Sequence, residues 1–199
     1  MDLPTLLEIE QLHKKYAPNE RIMQEVWPHC QIVHRLALWC VDTRHLNVDM
    51  ELLQVGALLH DIGAYTFYEP DGSLIMTNYI QHGILGYDIL KKEGFDEAIC
   101  RFASCHTGVG LSAEQIKRDK LPLPVADYFA ETLEEKLVMY ADKFHSKDPL
   151  QFNAVEWYKQ HTAAKFGAEN LARFETMIAE FGVPPVAELA KEYKQPLRA

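Results

Sequence analysis

The segment DMELLQVGALLHDIG, residues 49–63, opens on an acid suited to cap a helix and ends on the dipeptide His60-Asp61. Leu53, Ala57 and His60 recur at helical spacing and share one face. Gly63 is placed to end the helix, so Asp61 lies where the backbone changes direction and can reach the same centre as His60. The same period extends outward on both sides. It predicts helices near 4–16, 19–27, 30–44, 48–60, 78–93, 95–105, 112–119, 131–146, 149–160, 163–181 and 183–194. Thr132 with Glu135, Ser112 with Gln115 and Asn78 with Gln81 have capping-box spacing, and Asp148-Pro149 suits a helix start. Alternating patterns closed by tight-turn dipeptides are nearly absent. The fold class is therefore all-α.

A chain of 199 residues with 48% hydrophobic and 25% charged residues has the composition of one folded domain. We expect residues 1–199 to form a single domain, with a core at about 26–147 and a helical C-terminal extension at about 148–199. No apolar run is long enough to span a bilayer, and the N-terminus has no secretory pattern. The expectation is a cytoplasmic protein with no membrane partner. Cys30, Cys40, Cys100 and Cys105 form no CxxC pair and read as reduced thiols in or near the core. A net charge of −9 argues against a nucleic-acid partner, which needs a basic face. It leaves room for a small phosphorylated substrate, because bound divalent cations reverse the local sign.

Three further segments carry ligand-type side chains. In HCQIVHRLALWCVD, His34 shares a face with Leu38 and Val41; in EEKLVMYADKF, Asp142 shares one with Val138. His82 lies in YIQHGILGYDILKKEGF on the face of Leu85 and Ile89, and His106 follows a helix in CRFASCHTGVGL. Each alone has a plainer reading, as a hydrogen-bonded core histidine, a turn residue or an acid paired with a lysine. Together, imidazoles and carboxylates on apolar helix faces are costly unless they are paired or bound to a metal such as Zn, Fe, Mn, Ni or Mg.

The order H…HD…D, with LLHDIG upstream and ADK downstream, resembles the HD superfamily of metal-dependent phosphohydrolases over roughly residues 26–147. The resemblance implies an HD-domain helical bundle that hydrolyses a nucleotide or other small phosphate ester through a metal-activated water. It implies one or two divalent ions per chain. Asp61 would bridge two, with His34, His60 and Asp142 completing the first and His82 and His106 the second. His60, Asp61 and Lys143 are the candidate catalytic residues; Lys143, like Arg35 and Arg101, has a plainer reading as a solvated cation. The order is also similar to that of symmetrical diadenosine-tetraphosphate hydrolases and of HD-domain di-iron oxygenases. A non-catalytic nucleotide-binding HD module is the remaining alternative. Ala64 stands where cyclic-dinucleotide phosphodiesterases of the HD-GYP type carry lysine, and the GYP loop is missing, which counts against that substrate. The aromatic loop 61–77, with Tyr65, Phe67 and Tyr68, is read either as a base-stacking lid or as plain packing. A homodimer is compatible with the composition.

Overall fold

The computed structural model describes residues 3–199. Helix α1 (Leu6–Tyr16) begins at Thr5, whose hydroxyl accepts from the Glu8 amide while the Glu8 carboxylate accepts from Thr5 N–H. Helix α2 (Glu20–Arg44) is continuous over 25 residues, without the interruption at Pro28 that the sequence suggested. Proline removes one i→i−4 hydrogen bond. The turns on both sides of it bury Ile22, Val26, His29, Val33, Leu36 and Cys40 along one stripe, and that packing holds the helix through the gap.

Helix α3 (Met50–Leu59) is capped by Asp49, which accepts from the Glu51 and Leu52 amides. Its end is followed by a 3-10 turn at Ile62–Phe67. Gly63 is not a left-handed helix terminator as expected. A Cβ there would overlap the His82 carbonyl and the Gly86 amide, so this glycine permits close approach of α4 (His82–Lys92). The seam continues where Gly83 and Gly86 face Ala103 of α5 (Glu97–Cys105). Small residues thus bring the starts and ends of three elements into one small volume.

Helices α6 (Ala113–Arg118) and α7 (Leu133–Asp142) follow. The Thr132–Glu135 capping box forms, and Ser112 accepts from the Gln115 amide. Asn78 caps nothing; its backbone is left-handed and the Gln81 side chain donates to the Pro122 carbonyl. The expected helix at 149–160 is corrected in its first turn. Asp148 and Pro149, joined by a cis peptide, form the turn between β1 (His145–Lys147) and β2 (Leu150–Asn153). Only from Val155 does α8 (Val155–Phe181) begin, and it is interrupted at Gly167, whose φ is 83°. After α9 (Val186–Glu192), β3 (Leu197–Arg198) adds parallel to β2. Among the described residues, the fold is helical with this one three-stranded sheet.

Two buried apolar clusters fill the interior. One draws on α2, α3, α5, α7, α8 and α9, the other on α1 to α5, with α2, α3 and α5 common to both. The four cysteines are free and buried. Of the two readings of the aromatic stretch, packing is the one the fold adopts: Tyr65, Phe67 and Tyr68 are buried, and Tyr65 hydrogen-bonds His13. Among the described residues, no helix is long and apolar enough to cross a membrane.

Candidate metal centre

His60 and Asp61, at the end of α3, are fully buried and meet Asp142 from the end of α7. The fourth member of this cluster is His29, not His34. His29 Nε2 lies 3.2 Å from Asp61 Oδ2 and 3.1 Å from Asp142 Oδ1; His60 Nε2 lies 3.7 and 3.6 Å from the same atoms. His34 is half-buried and lines surface clefts with Gln31. The reason is angular. At 100° per residue, His29 belongs to the stripe Val26, Val33, Leu36, Cys40, whereas five residues later the helix has turned His34 away.

A second cluster shares Asp61. Its Oδ1 is 3.5 Å from both His82 Nε2 and His106 Nε2, which are themselves 2.9 Å apart. His82 is the first residue of α4 and His106 follows the last of α5, so the glycine seam sets this spacing. The structure therefore brings His60, Asp61, His82, His106 and Asp142 together, and leaves His34 out.

The protonation pattern tests whether this donor set suits metal ions. His60 Nδ1 is 2.7 Å from the Ala57 carbonyl, His82 Nδ1 is 2.7 Å from that of Tyr79, and His106 Nδ1 is 3.2 Å from that of Phe102. A carbonyl only accepts, so each Nδ1 carries the proton and, in the neutral ring, Nε2 presents a lone pair. His29 reaches the same state by a relay. Its Nδ1 meets His145 Nδ1 at 2.9 Å, and His145 Nε2 meets Gln195 Oε1 at 2.8 Å. With the amide oxygen accepting from His145, His145 Nδ1 accepts from His29, and His29 Nε2 is left bare. Four imidazole lone pairs then converge on two carboxylates. The buried Nε2 atoms of His29 and His60 and Oδ1 of Asp61 have no hydrogen-bond partner. Such a set is unfavourable without a cation among its members, and imidazole nitrogen with carboxylate oxygen suits a divalent metal.

Protein cations also face the two carboxylates. Lys147 of β1 ion-pairs with Asp61, and Lys143 bonds Asp142 Oδ2 at 2.7 Å and the His106 carbonyl at 2.9 Å. Burial alone would raise the Asp61 carboxyl, but Lys147 and His60 hold it well below the ordinary range. Burial opposes Asp142 likewise, and Lys143 and the histidines keep it ionised. Asp61 beside it pushes His60 above the ordinary imidazole range against its own burial. Burial dominates at His82, lowering it to about 3, and it lowers His106 as well.

Lys147, His29 and His145 were not identified from sequence. Lys147 delivers an ammonium to Asp61 that buried Ala64, after HDIG, lacks. Arg101 is a structural partner of buried Glu135, at 2.8 Å, and Arg35 pairs with exposed Glu192.

Beside the centre lie two cavities that share Met76 and Tyr79. The first, of about 340 Å³, is lined by Asp142, Lys143, Lys147, Trp157, His161 and Arg198. The second, of about 560 Å³, borders His82.

Residues 26–147 match the HD domain family. The chain belongs to the HD domain family. Among curated proteins it is 41% identical over 120 residues to a tRNA (cytidine(56)-2'-O)-methyltransferase of Picrophilus torridus, covering 60% of this chain and 31% of that one. It is 34% identical over 166 residues to the protein of that name from Thermoplasma volcanium, covering 83% of this chain and 44% of the other. It is 38% identical over 124 residues to the uncharacterized protein MJ0778 of Methanocaldococcus jannaschii, covering 62% of this chain and 66% of that one. The chain thus spans from about a third to just under two thirds of the length of these relatives. Among solved structures, the HD domain of the L. monocytogenes phosphodiesterase PgpH superposes with a TM-score of 0.53 at 18% identity, covering 93% of this chain and 98% of that one. Its complex with cyclic-di-AMP gives 0.53 at 16% identity, covering 96% and 100%. At these identities the likeness concerns the fold.

Proposed function

We propose that this chain is a metal-dependent phosphohydrolase acting on a nucleotide or another small phosphate ester. One observation carries the reading: two clusters of bare imidazole lone pairs share Asp61 and open beside a cavity lined by Lys143, Lys147 and Arg198. His29, His60, Asp61 and Asp142 would hold one ion, and Asp61, His82 and His106 another. Bound divalent ions would supply Lewis acidity and a water ionised near neutral pH.

The chain's own residues do the rest. Lys147, once Asp61 is neutralised, is free to turn its ammonium to an anionic group in the cavity; Tyr79 is beside it, with Lys147 Nζ 5.5 Å from the ring centroid. Burial pushes the Tyr79 hydroxyl up to about 12, so it stays protonated and can donate a hydrogen bond to a phosphate oxygen. Lys143 is held by Asp142 and the His106 carbonyl, which suits it to orient Asp142 and add positive potential. Arg198 on β3 adds a further cation to the cavity lining.

The test is chelation, reconstitution with Mn, Ni, Fe or Mg, and a phosphate-ester and nucleotide screen. We expect metal-dependent phosphate release that disappears in the His60→Ala, Asp61→Ala double variant. Turnover by that variant without metal, or oxygen consumption by the iron form in place of phosphate release, overturns the reading.

A further inference from the structure

The cavity of about 560 Å³ on the His82 side differs in chemistry from its neighbour. The first cavity is cationic, and its one tryptophan is engaged: His161 stacks on Trp157 at 4.9 Å between centroids and 16° between planes, and the Arg198 guanidinium lies 4.4 Å from the ring. The second has more apolar walls, among them Ile80, Leu111, Leu121 and Phe166, with Asp119 and Lys165 of opposite charge also on its lining. Gln115 of α6 also lines it. That residue is 3% exposed, and its Oε1 is buried without a hydrogen-bond partner. Tyr79, which stacks on His82 at 4.8 Å, lines both cavities, and its hydroxyl is a second buried atom without a partner. An unpaired buried acceptor costs about 1–3 kcal/mol unless something donates to it. The apolar walls suit a poorly hydrated organic group, and an N–H on that group would satisfy Oε1.

We propose that this cavity is a nucleobase subsite in which Gln115 Oε1 accepts from an exocyclic amine or ring N–H of the base. The inference rests on the phosphohydrolase reading only for placing the substrate phosphate; it deepens that reading by fixing where the organic group lies. The base sits on the His82 side, and the phosphate reaches past Tyr79 toward Lys147. Gln115 is then a specificity-determining residue: a base whose edge has no N–H leaves its oxygen unpaired and is rejected.

The experiment separates this from phosphate chemistry by using nucleosides, which carry no phosphate. The full chain, metal-free and metal-loaded, is titrated with adenosine, guanosine, cytidine, uridine and the donor-poor purine riboside, followed by NMR. We expect at least one of the four common nucleosides to bind more tightly than purine riboside, and Gln115→Leu to weaken that nucleoside about ten-fold and erase the preference. Where hydrolysis is found, the ratio of kcat/KM for the matching nucleotide to that for ribose 5-phosphate should fall by the same factor. Absence of nucleoside binding by the wild-type chain overturns the proposal, as does unchanged affinity in folded Gln115→Leu. Should Gln115→Leu fail to fold, Leu121→Trp, which fills the cavity from its half-exposed wall, decides on the same terms. Nucleoside binding by a chain that releases no phosphate keeps the subsite and sinks the hydrolase reading.

Discussion

Replacing His29 by alanine tests the centre more sharply than any change to the HD dipeptide, because His34, on the same helix, provides a matched control. His29 Nε2 stands 3.2 and 3.1 Å from the two carboxylates, and its tautomer is set through His145. Loss of a group that merely orients a ligand costs 10–100-fold in metal affinity. Loss of the ligand itself should cost at least about 100-fold, or about 2.7 kcal/mol at 25 °C. By linkage, at metal concentrations well above both dissociation constants, the stabilisation conferred by metal falls by the same amount. For a chain of this size, each kcal/mol moves the midpoint by roughly 2–4 °C, so the metal-induced rise in Tm should shrink by about 5–10 °C. The assay is calorimetry with and without Mn, paired with metal analysis after desalting. His34→Ala removes a half-buried ring that touches neither carboxylate, and it should retain wild-type metal content and the full rise. Loss of metal by His34→Ala with retention by His29→Ala would refute the geometry.

Lys147→Met should lower the stability of the metal-free protein by about 3–5 kcal/mol for a broken buried pair, read as a lower Tm, since Asp61 loses the cation that compensates its burial. Metal should restore most of that, so the metal-induced rise is larger than in wild type; equal rises would show that Lys147 and metal do not compete for Asp61. Gly63→Ala inserts a Cβ into the His82 carbonyl and the Gly86 amide, costing roughly 1–3 kcal/mol and moving His82 from Asp61. Metal analysis should then read about one ion per chain where wild type has about two, and an unchanged ratio would count against the seam as the device that sets the second cluster. His13, buried between the Leu58 carbonyl and Tyr65, is lowered by desolvation to about 4. A histidine depressed in the folded state contributes its stability in full above the unfolded value near 6.5 and loses it as pH falls toward 4. At 1.36 kcal/mol per pH unit the loss is about 3 kcal/mol. His13→Gln should therefore flatten the stability profile between pH 6.5 and 4, and a parallel profile would exclude His13 as its source.

How far the sequence could be read follows from which interactions are local. The helical period of α3, the adjacency of His60 and Asp61, and the Thr132–Glu135 cap are set within one or two turns, and each appears in the structure. His29 failed to show for a local reason with a non-local remedy. Pro28 marks a break on propensity, and only the burial of the whole stripe from Ile22 to Cys40 against other helices keeps α2 continuous and turns His29 inward. A stricter reading of periodicity would have found it, because Val26, Val33, Leu36 and Cys40 form a longer apolar stripe with His29 than Leu38 and Val41 form with His34. Lys147 and His145 were hidden by a different fact. A two-residue turn at Asp148-Pro149 has the same signature as a capped helix start, and only pairing with β2 and β3 selects the hairpin. That sheet, whose β2 and β3 come from residues expected to be a helical cover, is what carries an ammonium on β1 to Asp61 and Arg198 on β3 to the cavity wall. The distinction bears on the chemistry. Lysine after HDIG would sit on the same short turn as Asp61, whereas Lys147 sits on a separate element paired with β2, so cation and carboxylate can part when metal arrives without moving His60. A chain built this way should couple metal uptake to motion of the hairpin, and hydrogen exchange at Ser146 and Lys147 is where that coupling would register.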